Sequence, residues 1–275
     1  MRAPRPRVRR LPAGLPLRAI TPNALTALAL CSGLTGVRFA IAAASAHDEA
    51  ARNQWQLAVV MILVASALDG VDGQVARMLR GTSRFGAELD SLSDAISFGV
   101  APALILYLWS LTHAPQFGWV CALLFAVFCA LRLARFNAQM DSTDQPRKAA
   151  GYMTGIPAPA GAIGAMLPMY LWFITEDERI RDWRIVGPWV AFIALLMVSS
   201  VATYSWRSLR LRRNIRFEVL AVIVAIGVAL VSAPWPTLVG ICVIYLALIP
   251  FSAASYARIK RQRAIASPNP PSGGS

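Results

Sequence analysis

The chain of 275 residues is 56% hydrophobic and has a mean hydropathy of +0.52. Soluble globular domains lie near about 45–50% apolar, so a water-soluble domain is excluded and the membrane class remains. The 27 Lys and Arg against 14 Asp and Glu leave a formal charge of +13; in such a chain that excess serves topology and anionic lipid headgroups, with no need to invoke nucleic acid.

The N-terminal MRAPRPRVRRLPAGLPLR is basic and broken by prolines. The first apolar run follows Pro22-Asn23 and is too long for a signal-peptide core, so it is expected to remain as a span. Taking roughly 20 apolar residues per crossing, eight spans are predicted, at about 23–45, 55–80, 87–111, 116–136, 156–175, 186–206, 217–234 and 236–255. Pro234-Trp235-Pro236 separates the last two, and SPNPPSGGS from Ser267 has the composition of a disordered tail. The expected fold is an all-α polytopic helical bundle. Residues 1–22 are expected to form a basic cytoplasmic N-terminal segment, 23–255 one transmembrane domain with its catalytic core at about 23–206, and 256–275 a basic and then disordered cytoplasmic tail.

Cys31, Cys121, Cys129 and Cys242 lie in apolar runs without CxxC spacing and are expected to be buried small hydrophobes. His47 and His113 stand alone in polar connections and read as solvated loop residues. Gly33 and Gly36 offer small surfaces for helix contact, within the chain or in a homodimer, although their spacing is not GxxxG.

Orientation follows from the basic residues. With both termini in the cytoplasm, 22 Lys and Arg fall on the cytoplasmic side and four, Arg52, Arg179, Arg181 and Arg184, on the other. That asymmetry sets the topology. It also places the end of the second span and the start of the third at the cytoplasmic interface.

Those two spans carry LDGVDGQVARMLRGTSRFGAELDSLSDAISFGVAPA, with Asp69, Asp72, Glu88, Asp90 and Asp94. Ionisable groups at membrane depth cost about 2.5–3.5 kcal/mol each even on the mild insertion scale. At about 100° per residue, Asp69, Asp72, Gly73 and Ala76 share one helix face, with Arg77 at its edge. Gly86, Asp90 and Asp94 follow an i, i+4, i+8 course along the next helix. Two antiparallel helices joined near Gly81 therefore bring four carboxylates together. Such a group repels itself unless cations sit within it, and oxygen-only ligands suit a hard ion, Mg²⁺ or Mn²⁺. The small residues leave room beside the charges, and paired metals suggest phosphoryl chemistry. A polar helix pair that merely packs, or a cation pathway, remains open at this level.

The spacing D-x2-D-G-x2-A-R-x8-G-x3-D-x3-D is matched without departure by Asp69, Asp72, Gly73, Ala76, Arg77, Gly86, Asp90 and Asp94. It resembles the signature of the CDP-alcohol phosphotransferases, integral membrane enzymes that move a phosphatidyl group from a CDP-linked lipid to an alcohol and release CMP. The resemblance implies that Asp69, Asp72 and Asp90 ligate two divalent ions, that Asp94 is the general base, and that Gly73, Ala76 and Gly86 make room for the cytidine nucleotide. Arg77 would help hold the aspartates or the pyrophosphate.

TPNALTALALCSGLTGV, FGAELDSLSDAISFGVAPA, RLARFN at 132–137 and GIPAPAGA at 155–162 are similar to the membrane-embedded phosphatidylserine synthase branch, over most of residues 20–165. The implied substrates are CDP-diacylglycerol and L-serine, and the implied setting is a bacterial-type inner membrane with the site facing the cytoplasm. Arg132 and Arg135, at i and i+3, suit a small carboxylate, and Asn137 an amine or hydroxyl; arginines that merely snorkel are the plain alternative. Gly155, Pro157, Pro159 and Gly161 either open a helix start near the substrate or simply punctuate it. Glycerol 3-phosphate, inositol phosphate or choline are the competing acceptors. A divalent-cation transporter is the rival from another class.

Overall fold

A computed structural model describes residues 17–78, 83–114, 116–140, 152–199, 202–204 and 216–266. The joint expected near Gly81, the basic residues of 141–150 and 205–215, and the tail from Ser267 lie outside these residues.

The molecule is a bundle of apolar helices. Helix α1 spans Leu17–Ser45 and α2 Asp48–Met78. Helix α3, Arg84–Asp94, runs through a wider π turn at Ala95–Val100 into α4, Ala101–Trp109. Helix α5 is Phe117–Met140. Two short helices follow, α6 at Ala158–Ala165 and α7 at Leu167–Thr175. Helix α8 is Trp183–Val198, α9 Arg216–Ser232 and α10 Pro234–Ala266. Among the described residues, five stretches are long and apolar enough to cross a bilayer: Ile20–Ser45, Glu49–Met78, Arg84–Trp109, Phe117–Ala138 and Ala158–Thr175. Trp183–Val198 and Pro234–Pro250 are shorter apolar helices.

Local chemistry explains the boundaries. Ser83 caps α3 by accepting the Gly86 N–H at 3.0 Å, so the aspartate-bearing face begins at a defined position. The π turn ends just before Pro102. In a regular helix that ring clashes with the carbonyl of residue 98, and the wider turn relieves the clash. Pro168 likewise sits in the first turn of α7, where its missing N–H costs nothing, and the helix restarts there after Met166. Pro234 opens α10, as the Pro-Trp-Pro break leads one to expect.

Three expectations need correction. The first helix begins at Leu17 and carries Pro22 inside it, six residues ahead of the predicted span at 23. The predicted span 186–206 stops at Val198, where Ser199 turns to φ −57°, ψ 152°. Beyond it, Ala202–Tyr204 pairs antiparallel with Tyr152–Thr154, Met153 opposite Thr203; the β-branched and aromatic residues there favour a ribbon over another helical turn. Cys31 faces outward, while Cys129 and Cys242 are buried and Cys121 is half-buried; all four are free thiols.

Packing, rather than a hydrophobic drive that lipid cannot supply, holds such helices together. Helices α1 and α2 share the broadest contact, α5 lies on α8 and on the π turn, and α10 lies on α7. The core centres on the fully buried Trp55, Phe98, Trp109, Phe125 and Tyr170. Leu28, Leu34, Ile41, Val64, Leu123, Val127, Val224 and Ile244 stay exposed, as a surface that meets acyl chains requires. Both small residues of α1 are used inside the chain. A Cβ on Gly33 would stand 2.8 Å from Ser97 Oγ, and one on Gly36 3.0 Å from the Ala58 carbonyl.

Candidate active site

The expected juxtaposition of aspartates is present. Ligand oxygens of Asp69, Asp72 and Asp90 lie within 4.8 Å of one another. Asp94 lies one turn beyond Asp90 on the same helix, in electrostatic range of Asp69. Carboxylates gathered in this way repel one another unless a proton or a cation lies among them. Neither ion pair found among the described residues involves any of the four. Octahedral Mg²⁺ holds its oxygens at about 2.0–2.1 Å, so opposite ligands stand about 4.2 Å apart. The three carboxylates need only small side-chain adjustments to meet that. The donor set fits a hard divalent cation.

Helix α1 supplies a wall that the signature does not contain. Thr26, 5% exposed, places its hydroxyl 2.7 Å from Asp72 Oδ2 and 3.0 Å from the Pro22 carbonyl. Its single proton serves the carboxylate, which is itself 4% exposed, and thereby fixes that oxygen. Ser93 donates to the Thr26 carbonyl at 3.2 Å, and Ser97 to that of Ala29 at 3.4 Å. These bonds clamp α3 and the π turn against α1, with Asp90 and Asp94 held on the neighbouring face. The only signal for them in the sequence is the small and hydroxylic content of TPNALTALALCSGL, which is compatible with ordinary helix packing.

The two glycines of the signature do different things. A Cβ on Gly73 would meet nothing closer than Arg77 Nη1 at 3.7 Å, so space is open there. A Cβ on Gly86 would lie 2.8 Å from Asn23 Oδ1 and 3.1 Å from Ser83 Oγ. Gly86 therefore admits the asparagine of α1, which stands where a side chain would otherwise lie. Ala76 is half-buried, and Arg77 is exposed at the edge of the face.

The arginines of RLARFN part company. Arg132 is half-buried, with its Nε fully enclosed, and lies in electrostatic range of Asp94. Arg135 is exposed and donates to the Val198 carbonyl at 3.3 Å. Asn137 donates to Ser91 Oγ at 2.8 Å and ties α5 to α3. In GIPAPAGA, Gly155 takes φ +73° and a Cβ there would stand 2.5 Å from the Met197 carbonyl; only glycine adopts that geometry in that space. The segment is punctuation that seats α6 against α8.

Comparison with known sequences agrees with this geometry. A family model described as CDP-alcohol phosphatidyltransferase matches residues 19–203, and a second, CDP-alcohol phosphatidyltransferase 2, matches 216–250. A Mycobacterium tuberculosis protein named CDP-diacylglycerol–serine O-phosphatidyltransferase is 39% identical over 238 residues, which cover 86% of this chain and 79% of that one. A protein of the same name from Mycobacterium leprae is 37% identical over 235 residues, covering 85% and 74%. One from Helicobacter pylori is 30% identical over 202 residues, covering 74% and 78%.

Proposed function

Because this chain belongs to the CDP-alcohol phosphatidyltransferase family, we propose that it transfers the phosphatidyl group of CDP-diacylglycerol to the hydroxyl of L-serine, giving phosphatidylserine and CMP. The observation that carries the proposal is the aspartate cluster itself, at the positions the family signature demands, in a chain whose relatives bear that enzyme's name over most of its length.

Asp69, Asp72 and Asp90 would hold the divalent ions, two of Mg²⁺ or Mn²⁺, which when bound neutralise the pyrophosphate and its leaving group. The protein's own part is positioning. Thr26 holds Asp72, and the clamp of Ser93 and Ser97 onto α1 holds the helix that bears Asp90 and Asp94. Asp94 takes the proton of the serine hydroxyl. The hydroxyl oxygen attacks the phosphorus next to diacylglycerol, the bond from that phosphorus to the bridging oxygen breaks, and CMP departs with the electron pair. Gly73 and Ala76 give the nucleotide its room, and Arg77 faces its phosphates. Arg132 meets the serine carboxylate, while Arg135 and Asn137, bonded to Val198 and Ser91, hold the end of α5 that carries it.

The protein is a multi-pass membrane protein. We place it in a bacterial-type inner membrane with eight crossings, both termini and the site on the cytoplasmic side, and basic segments against anionic headgroups, on the strength of the 22-to-4 charge asymmetry. Purified protein given CDP-diacylglycerol and a panel of labelled alcohols tests the acceptor. CMP release with serine, absent in EDTA and restored by Mg²⁺ or Mn²⁺, is expected. Turnover of glycerol 3-phosphate, inositol phosphate or choline in its place would refute the assignment.

A further inference from the structure

A hydroxyl within a helix commonly turns back to the carbonyl one turn before it. On α1, Ser32, Thr35 and Ser45 do so, bonding the carbonyls of Leu28, Cys31 and Ile41 at 2.9, 2.6 and 3.1 Å. Thr26 has the same option in the Pro22 carbonyl at 3.0 Å, yet Asp72 Oδ2 of α2 lies nearer, at 2.7 Å. An ionised carboxylate accepts more strongly than a neutral carbonyl, so the single proton goes across to α2. Both side chains are buried, and solvent does not readily replace that bond.

The main chain of the same residue serves the other half of the site. The Thr26 carbonyl accepts from Ser93 Oγ at 3.2 Å, and Ser93 lies on α3 between Asp90 and Asp94. Among the described residues, α2 and α3 each pack on α1 and scarcely on one another. Direct contact between those two helices therefore does not set how far Asp69 and Asp72 stand from Asp90. That separation is set through α1, and Thr26 is where α1 bonds to both. A cation that takes oxygens from both helices is sensitive to it, because Mg²⁺ demands near-ideal octahedral geometry.

We propose that Thr26 is a positioning residue of the metal centre. Its hydroxyl on Asp72 and its carbonyl under Ser93 hold the two halves of the ligand set at binding distance, and so set the affinity for the divalent ion. The inference rests on Asp69, Asp72 and Asp90 being the metal ligands; it is independent of which alcohol is the acceptor.

Two near-isosteres divide the residue. Thr26→Val keeps the shape and the methyl and loses the hydroxyl, whereas Thr26→Ser keeps the hydroxyl and loses the methyl. Mn²⁺ binding to the purified protein is measured by electron paramagnetic resonance with no lipid substrate present, so turnover does not enter. The Kd should rise about tenfold to a hundredfold in Thr26→Val, the usual worth of a group that supports a metal ligand. It should stay near the wild-type value in Thr26→Ser. Ser93→Ala cuts the bond to the carbonyl but leaves the hydroxyl on Asp72, and it should weaken Mn²⁺ as well. Equal affinity in wild type and Thr26→Val, or a larger loss in Thr26→Ser than in Thr26→Val, would reduce Thr26 to a packing residue and overturn the proposal. Unchanged affinity in Ser93→Ala would overturn the bridge between the helices, and this variant decides by itself if Thr26→Val does not fold. A wild type that binds no Mn²⁺ would overturn the metal reading of the aspartates, and this inference with it.

Discussion

The charged residues at the two ends of the bundle are arranged on opposite principles. At the end of α7, Arg52 pairs with Glu176 and donates to the Phe173 carbonyl at 2.7 Å. Arg181 donates to the Trp109 carbonyl at 2.6 Å and lies 3.9 Å from Glu178, which in turn accepts from Trp172 Nε1 at 2.9 Å. Each of these four charges has a partner of opposite sign. At the other end three carboxylates share a space less than 5 Å across with a fourth against them, and neither ion pair of the described residues reaches them. The first arrangement braces helix ends and is complete as it stands. The second is self-repelling without a cation, and a protein that keeps it must use it.

If that contrast is sound, neutralising substitutions should have unlike consequences at the two ends. The largest effect belongs to the carboxylates. Asp94→Asn should lower kcat by about 10²- to 10⁴-fold, the usual worth of a general base, yet retain metal-dependent binding of the CDP-lipid. Asp69→Asn, Asp72→Asn and Asp90→Asn should lose that binding as well, because each removes a negative ligand. Loss of CDP-lipid binding in Asp94→Asn to the same degree would remove the distinction between base and ligand.

A middle-sized effect separates the glycines. Gly86→Ala drives a Cβ into Asn23, and overpacking of this kind costs about 1–3 kcal/mol, read as a lower Tm. Replacing Asn23 by Ala in the same chain should restore much of it. Gly73→Ala should leave Tm alone and raise the KM for CDP-diacylglycerol. Identical behaviour of the two variants would mean that α1 does not wall the site.

The smallest effect is expected at the paired end. Glu176→Gln removes one member of a solvent-accessible ion pair, worth about 0–1 kcal/mol. Thermal unfolding should shift slightly and kcat with serine should not change. A drop in kcat comparable to that of the aspartate variants would erase the contrast between the ends.

How far the sequence could be read follows from the range of the interactions involved. Asp69, Asp72, Asp90 and Asp94 were legible because helical periodicity alone puts them on facing surfaces, and the apolar runs mark most of the spans. Thr26 and Asn23 were not. Each acts across a helix contact some 46 residues or more away in the chain, as the Thr26–Asp72 bond does, and a polar residue on an apolar helix does not announce its partner. The same limit explains Gly86, whose smallness reads as free space until Asn23 is seen against it. The i, i+3 spacing of Arg132 and Arg135 suggests a pair that faces one way, but the spacing says nothing of the Val198 carbonyl that engages Arg135. The ribbon at 152–154 and 202–204 was missed because a long apolar run continues into it and three-residue strands carry too little pattern to be seen.

The central claim, that a serine hydroxyl held by this aspartate cluster attacks the lipid phosphorus, is tested most directly with an isotope. Purified protein is given CDP-diacylglycerol and serine labelled with ¹⁸O in its hydroxyl, and the products are weighed by mass spectrometry. The account predicts phosphatidylserine that retains the label in its phosphodiester, unlabelled CMP in equal amount, and neither product from Asp94→Asn above trace. Release of CMP without labelled phosphatidylserine, or full product from Asp94→Asn, would contradict it.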